Sequence, residues 1–424
     1  MLAVVAAAVP TEMGRLCMSS KVLLKRVCLM ALVLPLFAGP AAADDELPDV
    51  SDRYDGTGRH AGSFWLFSTL GTGLFYDSNV LGTPSGADGE AGVFINPRLE
   101  ANSDWGNHAL NIVLDASQYE YFDASEQSRT NFNGTIDGRI DVRRDLVIEG
   151  GVEGAYVSEA AGAIFTSPFA DEPTEHSELA AWAAVNKAFN RLSVSVGAAY
   201  RAYDYYDVGS IAGGDIDQDF RDGGTAETGG RVSYLFSPGY RWFSDVRYNW
   251  RDYDNGANGS DGWRGLTGLE FEITRLLRGE VGAGYMEQYY GAGHTESDFS
   301  YHAALVWNPT PLMTVSFDAD RIIQDSSIVG SLGAISDKLK AVVDYEVKRG
   351  VVVSPSFEVQ LADYQGIGRT AETYDLGLNV AYALNRFLTL GTAYTYTHSD
   401  IDGAAAGFDG FERHMFGVYA KARL

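Results

Sequence analysis

A two-residue alternation of apolar and charged residues runs from Thr130 to Tyr156 and constrains the fold more than any other feature. Every even position from 132 to 142 is apolar or glycine, and every odd position from 131 to 143 is polar or charged. The pattern resumes after Arg144-Asp145. Since successive side chains of a strand point to opposite faces, each arm has one apolar and one charged face. Arms of roughly a dozen residues are typical of tilted strands that cross a membrane.

The same hairpin pattern recurs from position 63 to the end of the sequence. We count about eighteen strands, an even number, as expected for a bacterial single-chain barrel. Short connections such as Phe189-Asn190 and Arg349-Gly350 alternate with long ones such as 79–90, 158–175 and 207–224. The sequence therefore predicts an all-β fold: a single transmembrane antiparallel up-and-down β-barrel of about 18 strands (16–18), with short periplasmic turns and longer extracellular loops.

The first 43 residues are typical of a secretory signal peptide. Basic Lys25 and Arg26 precede the apolar run 27–37, and Ala41-Ala42-Ala43 forms a small-residue cleavage site. An uncleaved anchor helix is the alternative. We predict three parts: a signal peptide (1–43, removed), a periplasmic N-terminal leader without periodicity (44–62), and an outer-membrane β-barrel (63–424).

Cysteine content and net charge exclude several functions. Both cysteines, Cys17 and Cys28, lie in the predicted signal peptide, so the mature chain would form no disulfide and use no thiolate chemistry. The chain has 57 acidic and 32 basic residues, a net charge of −25, which argues against nucleic acid as a partner.

Tyrosines near the long connections predict an aromatic girdle at the outer membrane boundary, where a ring can stay in lipid while its hydroxyl stays in water. The residues assigned to it are Tyr76, Tyr121, Tyr156, Tyr206, Tyr253, Tyr290, Tyr364 and Tyr396.

The charged phases of the strands predict a hydrated lumen, because so many ionisable groups could not be accommodated in a dry interior. Phe243 and Phe387 fall in the same phase and are the aromatic candidates for a lumen surface. The predicted pore-lining residues are Arg98, Glu100, Asp137, Arg139, Asp141, Glu149, Glu153, Arg241, Asp245, Arg247, Glu270, Asp318, Lys340, Asp344 and Glu358.

Catalytic and metal-binding motifs do not emerge from the sequence. The seven histidines are scattered, and we expect no enzyme activity, no cofactor and no dedicated metal site. One acidic loop has an alternative reading, since Asp215, Asp217 and Asp219 have the spacing that opens a calcium loop. Phe220 replaces the glycine such a loop requires, so a solvated loop, or one folded inward to narrow the channel, is also open.

Residues 73–80, Gly-Leu-Phe-Tyr-Asp-Ser-Asn-Val, resemble the opening strand of a proteobacterial family of outer-membrane β-barrel porins. The family motif corresponds here to Tyr76, Asp77, Ser78 and Asn79. Members of that family are often linked to exopolysaccharide export, so the resemblance implies a polymer-conducting pore. The alternation that ends the chain, from Phe416 through Val418 to Leu424, resembles the signal read by the barrel assembly machinery, with Leu in place of the usual Phe.

Together these features predict a channel in the bacterial outer membrane that passes hydrophilic material through a charged, hydrated lumen. The resemblance extends this to secreted polysaccharide. Two alternatives remain open: a passive diffusion porin for small solutes, and a structural barrel or adhesin without transport. The expected partners are outer-membrane lipid and lipopolysaccharide, the barrel assembly machinery, and periplasmic polysaccharide-export proteins, but no nucleic acid.

Overall fold

The computed structural model describes residues 58–160, 170–210, 213–254, 259–274, 276–326, 328, 330–403 and 410–423. The predicted signal peptide and most of the predicted leader lie outside the described residues. Within the described part, no helix is long and apolar enough to cross a membrane.

Eighteen long antiparallel strands form the wall. The first nine are β1 (Phe64–Asp77), β2 (Glu90–Ser103), β3 (Ala109–Tyr121), β4 (Arg129–Arg143), β5 (Leu146–Glu159), β6 (Thr174–Phe189), β7 (Leu192–Tyr205), β8 (Gly223–Ser237) and β9 (Tyr240–Tyr253). The second nine are β10 (Ser260–Thr274), β11 (Leu277–Tyr290), β12 (Thr295–Thr310), β13 (Met313–Gln324), β14 (Gly333–Lys348), β15 (Val351–Gln365), β16 (Arg369–Asn385), β17 (Leu388–Asp402) and β18 (Gly410–Arg423).

Each strand pairs with the next one along the chain, and β18 pairs with β1, so the sheet closes on itself. In that closing seam Leu74 lies opposite Val418 and Gly73 opposite Tyr419. Closure leaves no strand edge along the seam, which an open sheet of this size would expose to lipid. The predicted all-β antiparallel barrel of 18 strands is confirmed.

The outer face of the wall is apolar, as the hairpin at 130–156 predicts. Ile136, Ile140 and Val152 are 46%, 55% and 48% exposed, whereas Asp137 and Arg139 point to the opposite, inner face. A belt of exposed apolar side chains around a closed wall matches the hydrocarbon of a bilayer, because no other solvent makes such a surface favourable.

The connections differ in length at the two ends of the barrel. Two-residue turns such as 144–145 and 349–350 join strands at one end, whereas the loops at the other end include 78–89 and 206–222. The long-loop end carries the remaining short elements. These are the 3₁₀ turns Ser125–Gln127, Asp219–Arg221 and Gly291–Gly293, and the two-residue strands Val208–Gly209 and Asp215–Ile216.

The predicted leader reaches the barrel in a more regular way than expected. Residues Arg59–Ala61 form a short strand that pairs with the start of β1, with His60 opposite Trp65. Gly62 has a φ of 63°, a left-handed conformation that allows this tight reversal. The last part of the predicted leader, 59–61, is therefore a strand, although the sequence shows no periodicity there.

The barrel lumen as candidate functional site

All predicted pore-lining residues lie on the inner face of the wall. Cross-strand pairs share a face, so pairs such as Arg139 with Glu149 and Lys340 with Glu358 place both members in the lumen together. Arg98 donates two hydrogen bonds to Asp115, at 2.5 and 2.7 Å. Most lumen charges therefore have a neighbour of opposite sign.

The inner face of β8 to β13, which we call the ionic section, carries a chain of charge pairs that crosses several strands. Arg231 contacts Glu270 and, at 2.7 Å, Glu280. Glu280 lies 3.2 Å from His302, which lies 3.0 Å from Asp320. Arg231 is only 2% exposed, so its charge depends on these carboxylates rather than on water.

A second group of charges lies on β5 to β7. Arg201 pairs with Glu178 and lies 3.6 Å from Glu153. His176 is 2.9 Å from Glu178 and its ring stacks on Tyr205 at a centroid distance of 4.5 Å. Sequence reasoning missed the main cations and their partners in both groups, although the alternation within their strands assigns them to the inner face. The missed residues are Arg201, Arg231, Arg264, Glu178, Glu280 and His302.

A cluster of aromatic rings lies on the inner face of β18, β1, β2 and β3, which we call the aromatic section. Phe94 and Tyr119 stack at a centroid distance of 5.6 Å, and Phe75 contacts Tyr119 at 5.6 Å. Phe94 and Tyr419 occupy the same row as Gly73, one on each side of it.

Two glycines allow rings of the aromatic section to lie against the wall. A Cβ built on Gly73 would come within 2.8 Å of the Phe94 ring, and one built on Gly391 within 2.3 Å of the Tyr419 ring. Any larger residue at either position would push the ring away from the backbone. Phe94 and Tyr419 are only half-buried, so part of each ring faces the lumen.

The predicted aromatic girdle is wrong for Tyr121, Tyr253, Tyr290 and Tyr364. These residues pair with Gly92, Gly223, Ser260 and Ala334 on the inner face of the barrel. Tyr76 and Tyr206 are exposed on the outside, Tyr156 lies opposite outward-facing Phe132, and Tyr396 lies opposite outward-facing Leu376. At the end of a strand the phase of the alternation decides the face, and the neighbouring residue, for example Tyr289 rather than Tyr290, carries the outward ring.

The two aromatic lumen candidates differ in position. Phe243 is on the inner face but only 1% exposed, beneath the Arg231 guanidinium at 4.0 Å from its ring centroid. Phe387 is in the turn between β16 and β17 and is exposed, so its assignment to the lumen is wrong.

The β13–β14 hairpin leaves the wall near the long-loop end. In the described part of the chain, the β12–β13 ladder ends at His302–Asp320, and no pair forms between that point and the long-loop end. We call Arg321–Gln324 and Gly333–Ser336 the hairpin tip. Residues 322–324 and 333–336 are buried on both faces, unlike the alternating remainder of these strands.

Contacts of the hairpin tip show that it folds into the lumen. Ile323 and Ile335, which belong to the outward phase, pack against Met286 and Tyr290 on the inner face of β11. Arg251 on β9 donates to Asp325 at 2.7 Å and to the Ile323 carbonyl at 2.8 Å. Part of the mouth is therefore occupied by the chain itself.

The acidic loop gathers a different set of carboxylates than predicted. Oxygens of Asp207, Asp217 and Asp219 lie within 4.8 Å of one another, all exposed. Asp215 pairs with Gly209 in a short strand and is not part of the group, so its assignment as a calcium ligand is wrong. The loop is anchored elsewhere, by Arg221.

Arg221 ties this loop to the wall. Its guanidinium contacts Glu159 at 2.9 Å and lies 3.8 Å from the centroid of the Tyr205 ring. Burial alone would lower the pKa of Arg221, but the carboxylate of Glu159 raises it overall, so the guanidinium stays charged.

The family model described as Putative beta-barrel porin 2 matches residues 52–423. This chain belongs to that family. The protein is a porin-like barrel of the bacterial outer membrane, and its short turns are periplasmic and its long loops extracellular. No protein of curated function matches the sequence significantly.

Several solved outer-membrane barrels resemble the structure. OccK3 (OpdO) of Pseudomonas aeruginosa is 12% identical, with a TM-score of 0.42, over 85% of this chain and 95% of that chain. The copper transporter OprC is 10% identical, with a TM-score of 0.45, over 87% of this chain and 81% of that chain. The ferric enterobactin receptor PfeA of Pseudomonas aeruginosa is 8% identical, with a TM-score of 0.42, over 84% of this chain and 80% of that chain.

Proposed function

We propose that this porin-like channel passes hydrophilic carbohydrate, including polysaccharide leaving the cell, and that it is a conduit rather than an enzyme. The observation that supports this cargo is the aromatic section, where half-buried Phe94 and Tyr419 lie over glycines with part of each ring open to the lumen.

A sugar ring has apolar C–H faces and a rim of hydroxyl groups, so it needs both kinds of surface at once. Aromatic rings offer an apolar face of matching size. Charged side chains across the lumen accept or donate hydrogen bonds to hydroxyls, and such charge-assisted bonds are strong. The aromatic and ionic sections supply these two surfaces within one channel.

Passive diffusion of small solutes is the second candidate, and the hairpin tip supports it. A segment that fills part of the mouth limits the size of what can pass, which suits small solutes better than a wide polymer. A structural barrel or adhesin would have no conductance at all.

Single-channel recording in planar lipid bilayers separates these functions. We expect stepwise conductance from the purified protein, and longer current blocks with linear glucose oligosaccharides than with polyethylene glycols of the same hydrodynamic size. Equal blocks by both solutes would favour a passive sieve. Absence of conductance would leave only the non-transport alternative.

Polysaccharide export needs a separate test in the cell. Deletion of the gene should abolish surface polysaccharide and leave the polymer, or its precursors, inside the cell. In the same strain, affinity capture of the tagged barrel should recover periplasmic export proteins as partners. Unchanged polymer output after deletion would remove export and leave the channel itself intact as a proposal.

A further inference from the structure

We propose that the hairpin tip is a hinged, size-selecting gate with two alternative sets of partners, one inside the lumen and one in the wall. This inference rests on the protein being a channel. In the structure the tip occupies the inner position.

The inner position is held by side chains from strands that are distant along the wall. Arg251 contacts Asp325 and the Ile323 carbonyl, although it lies 74 and 72 residues away in the sequence. Arg264 donates to the carbonyls of Tyr301 at 3.0 Å and of Arg321 at 3.4 Å. The two arginines thus hold the hairpin tip and the point where β12 and β13 separate, which we call the split.

The outer position is encoded in the register of the ladder below the split. His302 lies opposite Asp320, so continuing that register would place Tyr301 opposite Arg321, Ser300 opposite Ile322, and Asp298 opposite Gln324. No such pair forms in the described structure. A resumed ladder would pair the backbone groups of the two edges with each other, in place of the side-chain bonds to the Tyr301 and Arg321 carbonyls. The outer position would then be a second well-defined state.

Polar groups occupy the split and bridge the separated strands through contacts that can be exchanged. Arg321 contacts Asp298 at 2.5 Å and also contacts Asp337, and the Ser300 hydroxyl donates to the Arg321 carbonyl at 2.8 Å. Charged pairs and one hydroxyl can exchange partners as the tip moves, whereas a tightly packed apolar seam would resist opening.

Movement of the tip would change the width of the mouth. In the inner position it covers Met286 and Tyr290 and reaches towards β9. In the outer position it would extend the wall and free that cross-section. A ligand that fits only the wider mouth would shift the population towards the outer position.

Trapping by engineered cysteines tests the outer position directly, since the barrel region contains no cysteine of its own. The test pair is Asp298→Cys with Gln324→Cys. The matched control pair is Ala304→Cys with Asp318→Cys, which are already opposite each other in the same phase of the ladder. Oxidation of the purified, folded protein is followed by mass spectrometry of the linked peptides.

We expect the control pair to oxidise at once. The test pair should oxidise more slowly but completely, because each disulfide traps a molecule in the outer position. A test pair that stays reduced while the control pair oxidises would overturn the proposal. If the test pair oxidises but no form of the protein conducts ions, the hinge stands and the channel function fails, so the two ideas are distinguished.

Removal of the Arg251 contacts with the hairpin tip should favour the outer position. Arg251→Ala should speed oxidation of the test pair and raise single-channel conductance by about 1.5-fold or more, because conductance follows the open cross-section. Arg144→Ala, on the exposed periplasmic rim, is the control and should change neither quantity. No change in both quantities for Arg251→Ala would show that the tip is a fixed constriction.

Discussion

The aromatic section and the ionic section belong to the same closed wall but differ in the contacts that predominate on their inner faces. In the aromatic section, rings rest on glycines of neighbouring strands and every ladder from β18 to β3 reaches the long-loop end. In the ionic section, charge pairs reach over several strands, and there the β12–β13 ladder stops early. Packing of rings against the backbone coincides with ladders that extend to the loops, whereas long-range ion pairs coincide with a ladder that ends early.

The largest expected effect is in the ionic section, at Arg231. Arg231→Ala should destabilise the barrel by about 3 kcal/mol, because it leaves the carboxylates of Glu270 and Glu280 without their main cation. Urea-dependent unfolding in detergent, followed by heat-modifiable gel migration, measures the change. The control is Arg143→Ala, whose side chain is 65% exposed and should cost less than about 0.5 kcal/mol. Equal effects would mean that lumen water screens the ionic section fully.

The next effect concerns the backbone contact of the aromatic section. Gly73→Val should cost about 2 kcal/mol, because its Cβ would meet the Val418 carbonyl at 2.2 Å and the Phe94 ring at 2.8 Å. The same unfolding measurement applies. Gly154→Val is the matched control, since a Cβ there meets nothing within 4 Å. If Gly73→Val were as stable as the control, the rings would not depend on contact with the wall.

A smaller effect separates the aromatic section from the rest of the lumen by function. Phe94→Ala should weaken oligosaccharide block by about fivefold, the loss expected from roughly 1 kcal/mol of ring contact. Dwell times of the blocked current give the ratio. Phe132→Ala, on the outer face and 46% exposed, should leave the dwell time unaltered. A similar dwell time for Phe94→Ala and the unmodified channel would argue against sugar stacking at this row.

The smallest effect tests whether lumen charges set selectivity. Lys340→Gln should shift ion preference towards cations by less than about twofold, because Glu358 keeps Lys338 at 3.2 Å while the lumen loses one positive charge. Reversal potentials in a potassium chloride gradient measure the preference. Lys187→Gln, on the outer face of β6, is the control and should leave the ion preference unchanged. A shift of the same size in this variant would mean that the barrel's overall charge, rather than the lumen charges, sets the preference.

The strand number and the inner face could be predicted because both depend on local alternation. Asp137 and Arg139 are separated by one residue, and that spacing alone assigns them to one face. The girdle prediction failed where it used proximity to a loop instead of phase. Tyr290 lies next to outward-facing Tyr289, and a shift of one residue reverses the face.

The folded-in hairpin tip could not be predicted in the same way. Its position depends on Arg251 meeting Asp325, two residues separated by 74 positions and by three intervening strands. Alternation in β13 and β14 breaks at this point, because Arg321 and Asp337 stand in the otherwise apolar outward phase, but that break does not say that Ile323 and Ile335 turn to the inner face of β11. Such contacts arise only when the wall has closed.

Pairing of β18 with β1 has a consequence for biogenesis. β1 obtains its second neighbour only when β18 has formed, because Gly73 pairs with Tyr419 across the seam. Until that pairing forms, the sheet has two unpaired edges that can recruit other chains. A chain that ends before the final hairpin lacks β18 and cannot close the wall at β1.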